Sequence, residues 1–177
     1  MRLKLVVLVV VISFFTTGCS NNLMNVKKKN EDAKNCYEKY KTLFYESAME
    51  SLNILKQYDL KSTRLYASDN KQVYVTALEA EIQSEKLYEV LTQLAKLIIV
   101  SEDGVEFSLD SSGFVSNSDY SGIYYSPADN IDSLPLYLPY LEYVRENDIV
   151  TGAKEGSDNT VYIERIGEAF FYYYLTF

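Results

Sequence analysis

The chain predicts an α+β fold: two amphipathic helices packed on a mainly antiparallel β-sheet, in a single domain. Three observations predict it. Apolar residues recur at steps of three and four over two stretches, 33–55 and 87–98. Between and after them lie short runs rich in Val, Ile, Tyr and Phe, bounded by polar turn clusters. The chain then ends on two β-rich runs, 160–166 and 169–176, parted by Gly167-Glu168.

Taken in order, Asn30 is placed to cap the first helix, with Glu31 and Asp32 in its first turn, where acidic groups suit the helix dipole. Ala33, Cys36, Tyr37, Tyr40, Leu43, Phe44, Ala48, Leu52 and Leu55 form its apolar stripe, which ends near Tyr58. Ser47 and Glu50 occupy heptad slots, so the pattern favours packing on a sheet over a coiled coil. Residues 63–67 and 72–78 flank the turn cluster Ser68-Asp69-Asn70-Lys71 and predict a hairpin. Ser84 caps a second helix whose face carries Leu87, Val90, Leu91, Leu94, Leu97 and Ile98.

Ile98-Ile99-Val100, a turn at Asp103-Gly104, and residues 105–109 predict another hairpin, and residues 122–125 a further strand before Pro127. Residues 127–159 carry the weakest pattern. Pro135 and Pro139 bracket a Leu/Tyr run, residues 141–146 read equally as a short helix or a strand, and Gly152 and Gly156 mark turns. In the final hairpin, Gly167 at the first loop position fits a type II′ turn and would pair Ile166 with Ala169, Glu164 with Phe171 and Tyr162 with Tyr173. Both of its faces are apolar, so it is central in the sheet or else exposes aromatics for a reason.

The start of the chain reads MRLKLVVLVVVISFFTTGCS. Arg2 and Lys4 precede an apolar run over 5–15 broken only by Ser13, and Thr16, Thr17 and Gly18 lead to Cys19. That order is the tripartite export signal. The run is shorter than the roughly 20 residues of a membrane-spanning helix. At Thr17-Gly18-Cys19 the stretch resembles the bacterial lipoprotein signal, in which a small pair precedes a cysteine that is lipidated and then exposed by cleavage. Thr16 departs from that pattern, where leucine is usual.

The resemblance covers the signal and its cysteine alone. It implies a signal peptide over 1–18, lipid (palmitate among its chains) on Cys19, and a domain held on the extracytoplasmic side of a cell or outer membrane. The polar residues 19–30, with Lys27, Lys28 and Lys29, read as a flexible tether, and 31–177 as the single α+β domain.

Loss of residues 1–18 removes Arg2 and Lys4 and takes the formal charge from −8 to −10. An acidic domain repels phosphate backbones, which argues against nucleic acid as a partner. The chain has no histidine, so the commonest general base and metal ligand are both missing. With Cys19 carrying lipid, Cys36 has no partner for an intramolecular disulfide and sits as a buried thiol on the helical stripe. Seventeen tyrosines and no tryptophan make tyrosine the main aromatic of core and surface alike.

Candidate constellations are few. Tyr120, Tyr124, Tyr125, Tyr137, Tyr140 and Tyr143 cluster in sequence and suit a rigid amphipathic contact surface for another protein; as plain core and sheet residues they would have no such role. Glu102, Asp103, Glu106, Asp110, Asp129 and Asp132 could supply the two carboxylates of a glycosidase, chemistry that needs no histidine, but acidic residues at turns are ordinarily solvated. Asp129-Asn130-Ile131-Asp132 lacks the spacing and glycine of a calcium loop. No nucleophile elbow, P-loop or dinucleotide fingerprint is present. Phe171, Tyr173, Leu175 and Phe177 alternate like the closing strand of an outer-membrane barrel, yet the long helical patterns favour a core strand.

The sequence therefore predicts a membrane-tethered, non-enzymatic envelope protein of accessory or immunity type. It would need no cofactor or metal and would bind another protein through tyrosine-rich surface. Binding of an envelope glycan or small ligand is the alternative, and a carboxylate-only glycosidase the third reading.

Overall fold

The computed structural model describes residues 3–112, 119–131, 141–153, 156 and 159–176. Along them run helix α1 (Leu3–Tyr58), strands β1 (Ser62–Ala67), β2 (Val73–Val75) and β3 (Ala80–Ile82), and helix α2 (Glu85–Gln93). Then come β4 (Leu97–Ser101), β5 (Gly104–Ser112), β6 (Asp119–Tyr125), β7 (Glu142–Glu146), β8 (Ile149–Ala153), β9 (Thr160–Gly167) and β10 (Phe170–Thr176). The strands form one sheet in the order β3-β2-β1-β4-β5-β6-β10-β9-β8-β7. Every neighbouring pair is antiparallel, so the fold is α+β, one domain with two helices on an antiparallel sheet.

Strand β10 joins the two halves of the sheet. The first half ends at β6; the chain then reaches the far edge at β7 and returns through β8 and β9, so that β10 closes against β6. Two-sided burial follows, which is why both faces of this strand are apolar. Phe170 faces the core under the helices, Tyr172 and Tyr174 face Ala33 of α1, and Phe171, Tyr173 and Leu175 face a second cluster with Val150, Val161, Ile163, Ile131 and Leu141.

Helix α1 lies on the first face, against β4, β5, β6, β10 and α2. Ala33, Tyr37, Phe44, Ala48, Ile54 and Leu55 are its buried apolar side chains among the described residues, and Phe44 meets Phe107 edge-on at 5.1 Å. Burial of a phenylalanine of this kind contributes up to about 3 kcal/mol. The helix is kinked at Tyr40, whose backbone (φ −119°, ψ 17°) leaves the helical region.

Its start differs from expectation. Residues 19–30, read as a flexible tether, are helical in backbone, and Asn30 lies inside α1 rather than at its cap. No proline interrupts the stretch, and between Gly18 and the kink at Tyr40 no glycine does either. Packing on the sheet begins before residue 31. Asn30 is buried and donates to Tyr162 Oη at 3.1 Å and to the Glu164 carboxylate. Lys29 lies 5.0 Å over the Tyr174 ring and 3.9 Å from Asp119. No helix with described side chains is long and apolar enough to cross a membrane.

Four further boundaries move, each for a local reason. The second strand of the first hairpin stops at Val75, and residues 76–78 form a 3-10 turn. There Thr76 Oγ1 accepts from Arg64 N (3.0 Å) and Thr63 Oγ1 from Ala77 N (3.1 Å), so side chains replace the ladder. Ser84 does cap α2, accepting from Leu87 N at 3.1 Å, but the helix ends at Gln93. Leu97 and Ile98 belong instead to β4, whose β-branched run pairs with β1 on one side and β5 on the other. The β4–β5 turn is Glu102-Asp103, one residue earlier than predicted, because Ser101 pairs with Gly104. Gly152, expected at a turn, sits in β8 opposite Tyr143 of β7, the strand being the one of the two readings of residues 141–146 that is found.

The final hairpin is also displaced. Its turn is Glu168-Ala169, and Phe171 pairs with Arg165, Tyr172 with Glu164 and Tyr173 with Ile163. That one-residue slip puts Tyr162 and Glu164 on the helix face and Arg165, Ile163 and Val161 on the other, the reverse of the expected grouping with Tyr173. Ala169, not Gly167, takes the left-handed conformation (φ 59°).

Candidate functional site

A cleft of about 600 Å³, open to solvent, lies at one end of the sheet. Its walls come from three distant segments: α1 on both sides of the Tyr40 kink, the turn that follows β6, and the β9–β10 turn. Tyr37, Tyr45, Tyr125 and Phe170 supply its aromatic lining. Tyr37 and Tyr125 each stand 5.0 Å from Phe170, and Tyr45 meets Tyr125 edge-on at 6.1 Å. Such tilted and edge-on arrangements suit the ring quadrupoles. Tyr37 and Tyr125 are nearly buried, whereas Tyr45 is 51% exposed and forms the mouth.

The polar lining is Glu38, Lys41, Thr42, Asp129 and Glu168. Burial raises the hydroxyls of Tyr37 and Tyr125 above the ordinary tyrosine range. The negative charge of Glu168 acts on both in the same direction, joined at Tyr37 by Glu38 and at Tyr125 by Tyr45. Both hydroxyls therefore stay protonated at neutral pH and remain donors. That of Tyr125 points to Met49 Sδ at 3.8 Å.

Arg165 holds the far wall in place. Its guanidinium bonds the Asp129 carboxylate, reaches the Asp129 carbonyl at 3.3 Å and Asp148 at 3.4 Å, and lies 4.7 Å over the Phe171 ring. The hydrogen bond from Arg165 holds the Asp129 carboxyl below the usual carboxylate range. The same carboxylate accepts from Ala169 N at 2.9 Å, while Ser126 N donates to Ala169 O at 2.8 Å. The two turns are thereby locked to each other, and both carry a non-glycine residue at positive φ, Asp129 (49°) and Ala169 (59°).

The six tyrosines expected to share a surface do not share one among the described residues. Alternation along β6 sends neighbours to opposite faces. Tyr125 points toward α1 and lines the cleft, while Tyr124 is buried in the second cluster with Phe171 and Tyr173, its hydroxyl pushed up by burial and by Asp103. Tyr120 is 39% exposed, and Tyr143 is half-buried over Gly152. Tyr137 and Tyr140 lie outside the described residues.

The acidic set is likewise dispersed. Glu102 and Asp103 occupy the β4–β5 turn, Asp129 is engaged by Arg165, and Asp132 lies outside the described residues. Asp110 lies on β5, as does Glu106, which is on the sheet face away from the helices and accepts from Tyr173 Oη at 2.6 Å. No group of three or more Cys, Asp or Glu side chains poised to share a metal ion occurs among the described residues. Cys36 is half-buried, and burial raises its thiol above the usual range.

Tyr45, Glu38, Glu168 and Phe170 were not singled out by sequence reasoning. Tyr45 did carry a signal, as a large aromatic directly beside Phe44 and off the apolar stripe. Against this fold and cleft, comparison with protein-family models, with curated proteins and with solved structures finds no match for the chain.

Proposed function

We propose that this chain is a lipid-anchored, non-enzymatic envelope protein that binds another protein, and that the aromatic cleft is its contact site. Cys19 carries the lipid, and the domain stands on the extracytoplasmic side of the membrane. The observation that carries the binding reading is the exposed Tyr45 at the mouth of a cleft lined by three further aromatic rings. Tyrosine in such a position offers large contact area at little cost in side-chain entropy.

The test uses the full-length protein in detergent as bait for an envelope extract of the source cell. Wild type is expected to retain one stoichiometric protein through a salt wash, and Tyr45→Ala to release it with an unchanged circular dichroism spectrum. Retention by both forms would remove the cleft as the site, and a blank from wild type would count against a protein partner. Growth with labelled palmitate tests the anchor: the label is expected on wild type and not on Cys19→Ala.

A second reading, an envelope glycan or small ligand, is favoured by the cleft volume of about 600 Å³, which is in the range of small-molecule sites. Under that reading Tyr45→Ala would abolish ligand binding while no protein is captured by either form.

A further inference from the structure

We infer that the cleft beside Tyr45 takes a cationic side chain, a lysine or arginine presented by a basic segment of the partner; this rests on the cleft being the contact site. A plain apolar plug would suit the rings but leave two rim carboxylates facing it. Glu38 and Glu168 line the same space as Tyr37, Tyr45, Tyr125 and Phe170. Glu168 is exposed at the rim of this space, within reach for its charge to act on the hydroxyls of both Tyr37 and Tyr125. An ammonium or guanidinium over aromatic faces, with a carboxylate beside it, satisfies ring quadrupole and rim charge together. The third carboxylate, Asp129, is already engaged by Arg165 and serves the wall.

The same chemistry recurs inside the molecule. Lys29 stands over Tyr174 at 5.0 Å, Lys39 over Tyr40 at 4.7 Å and Arg165 over Phe171 at 4.7 Å. The formal charge of −8 also attracts a basic partner from a distance. Lys41 is the one cation among the lining residues; it is exposed on a flexible stem, so it competes with an incoming cation for the rim carboxylates. The walls are held ready, since the turns bearing Asp129 and Ala169 are cross-linked through Arg165 before anything binds.

The experiment is calorimetric titration of the full chain in detergent with an acetylated hexalysine peptide, and with hexaglutamate as its opposite. Hexalysine is expected to bind and hexaglutamate not to. Tyr45→Ala and Glu168→Gln should each weaken hexalysine by about threefold to tenfold, the size of a cation–π or rim-charge contribution. Lys41→Met should tighten it. Glu81→Gln makes the same charge change on the distant exposed strand β3 and should leave the affinity alone. Equal weakening by Glu81→Gln and Glu168→Gln would mean unspecific charge attraction and overturn the inference, as would loss of affinity in Lys41→Met. If hexalysine fails to bind while Tyr45→Ala still abolishes capture of the envelope protein, the contact site stands and its cationic preference falls. If capture is also indifferent to Tyr45, both fall.

Discussion

The phenol of Tyr37 fills the space in which any residue but glycine at position 167 would carry its Cβ. A methyl there would meet Tyr37 Oη at 2.3 Å and two ring carbons at 2.6 Å. Gly167 is thus required by the close approach of α1 to the end of β9, not by the turn. Gly167→Ala is expected to cost about 1–3 kcal/mol through overpacking, read from the urea midpoint. In a Tyr37→Ala background the same change should cost much less, with a coupling of about 1 kcal/mol or more. Equal costs in both backgrounds would dissociate the glycine from the ring.

Glu164 ties the start of the packed part of α1 to the sheet. Lys34 Nζ lies 2.6 Å from its carboxylate, Tyr162 Oη donates to it at 2.7 Å, and Asn30 donates as well. Burial pushes this carboxyl up, but the three donors and the charge of Lys34 prevail and hold it below the usual range. A carboxyl depressed in the folded state stabilises the fold above its unfolded pKa, about 4.3 for glutamate, and that contribution is lost as pH falls through the folded value. Between pH 5 and pH 3, wild type should therefore lose stability more steeply than Glu164→Gln. Hydrogen exchange over residues 29–37 should accelerate in the same window. Parallel pH profiles for the two proteins would rule the clamp out as an acid-labile contact.

How far the sequence carries depends on how local each determinant is. Ser84 and Leu87 are three residues apart, and the cap they make was readable. The doubly apolar β10 likewise announced a central strand. The hairpin register was not readable from Gly167-Glu168, because Ala169 is forced left-handed by contacts to Asp129 and Ser126, some 40 residues earlier in the chain. Asn30 looked like a cap because its half-buried partners, Tyr162 and Glu164, come from the other end of the chain. The cleft is the extreme case. Tyr45, Tyr125 and Phe170 meet only once the β6–β10 pairing brings Phe170 beside Tyr125 and α1 crosses both.

Ala169 holds a left-handed backbone (φ 59°), which costs an L-residue roughly 1 kcal/mol or more. Ala169→Gly relieves that strain, while glycine gives back part of the gain through its freer unfolded chain. The expected outcome is a net stabilisation of about 0.5–1 kcal/mol, seen as a higher urea midpoint with unchanged slope. A lower midpoint would mean that packing of the Ala169 methyl against the core outweighs the strain.

Glu106 sits on β5 away from the helices, with Tyr173 Oη donating to it at 2.6 Å. Burial raises its carboxyl above the usual glutamate range; the Tyr173 hydrogen bond and the charge of Arg64 offset only part of this. A group whose folded pKa is raised contributes stability that is fully present below its unfolded pKa and lost as pH rises through the folded value. Ionised Glu106 is accordingly a net cost at neutral pH. Glu106→Gln keeps an acceptor for Tyr173 without the charge, so it should be as stable as wild type or more so at pH 7, with the advantage vanishing toward pH 4. Glu106→Leu removes this acceptor and should cost about 1–3 kcal/mol at pH 4, and less at pH 7 where the charge goes with it, since the buried Tyr173 hydroxyl keeps only Ser108 as a partner. If instead Glu106→Gln destabilises at pH 7 and not at pH 4, the ionised carboxylate is held by Arg64 more strongly than burial opposes it, and the assignment of its charge as a cost is reversed.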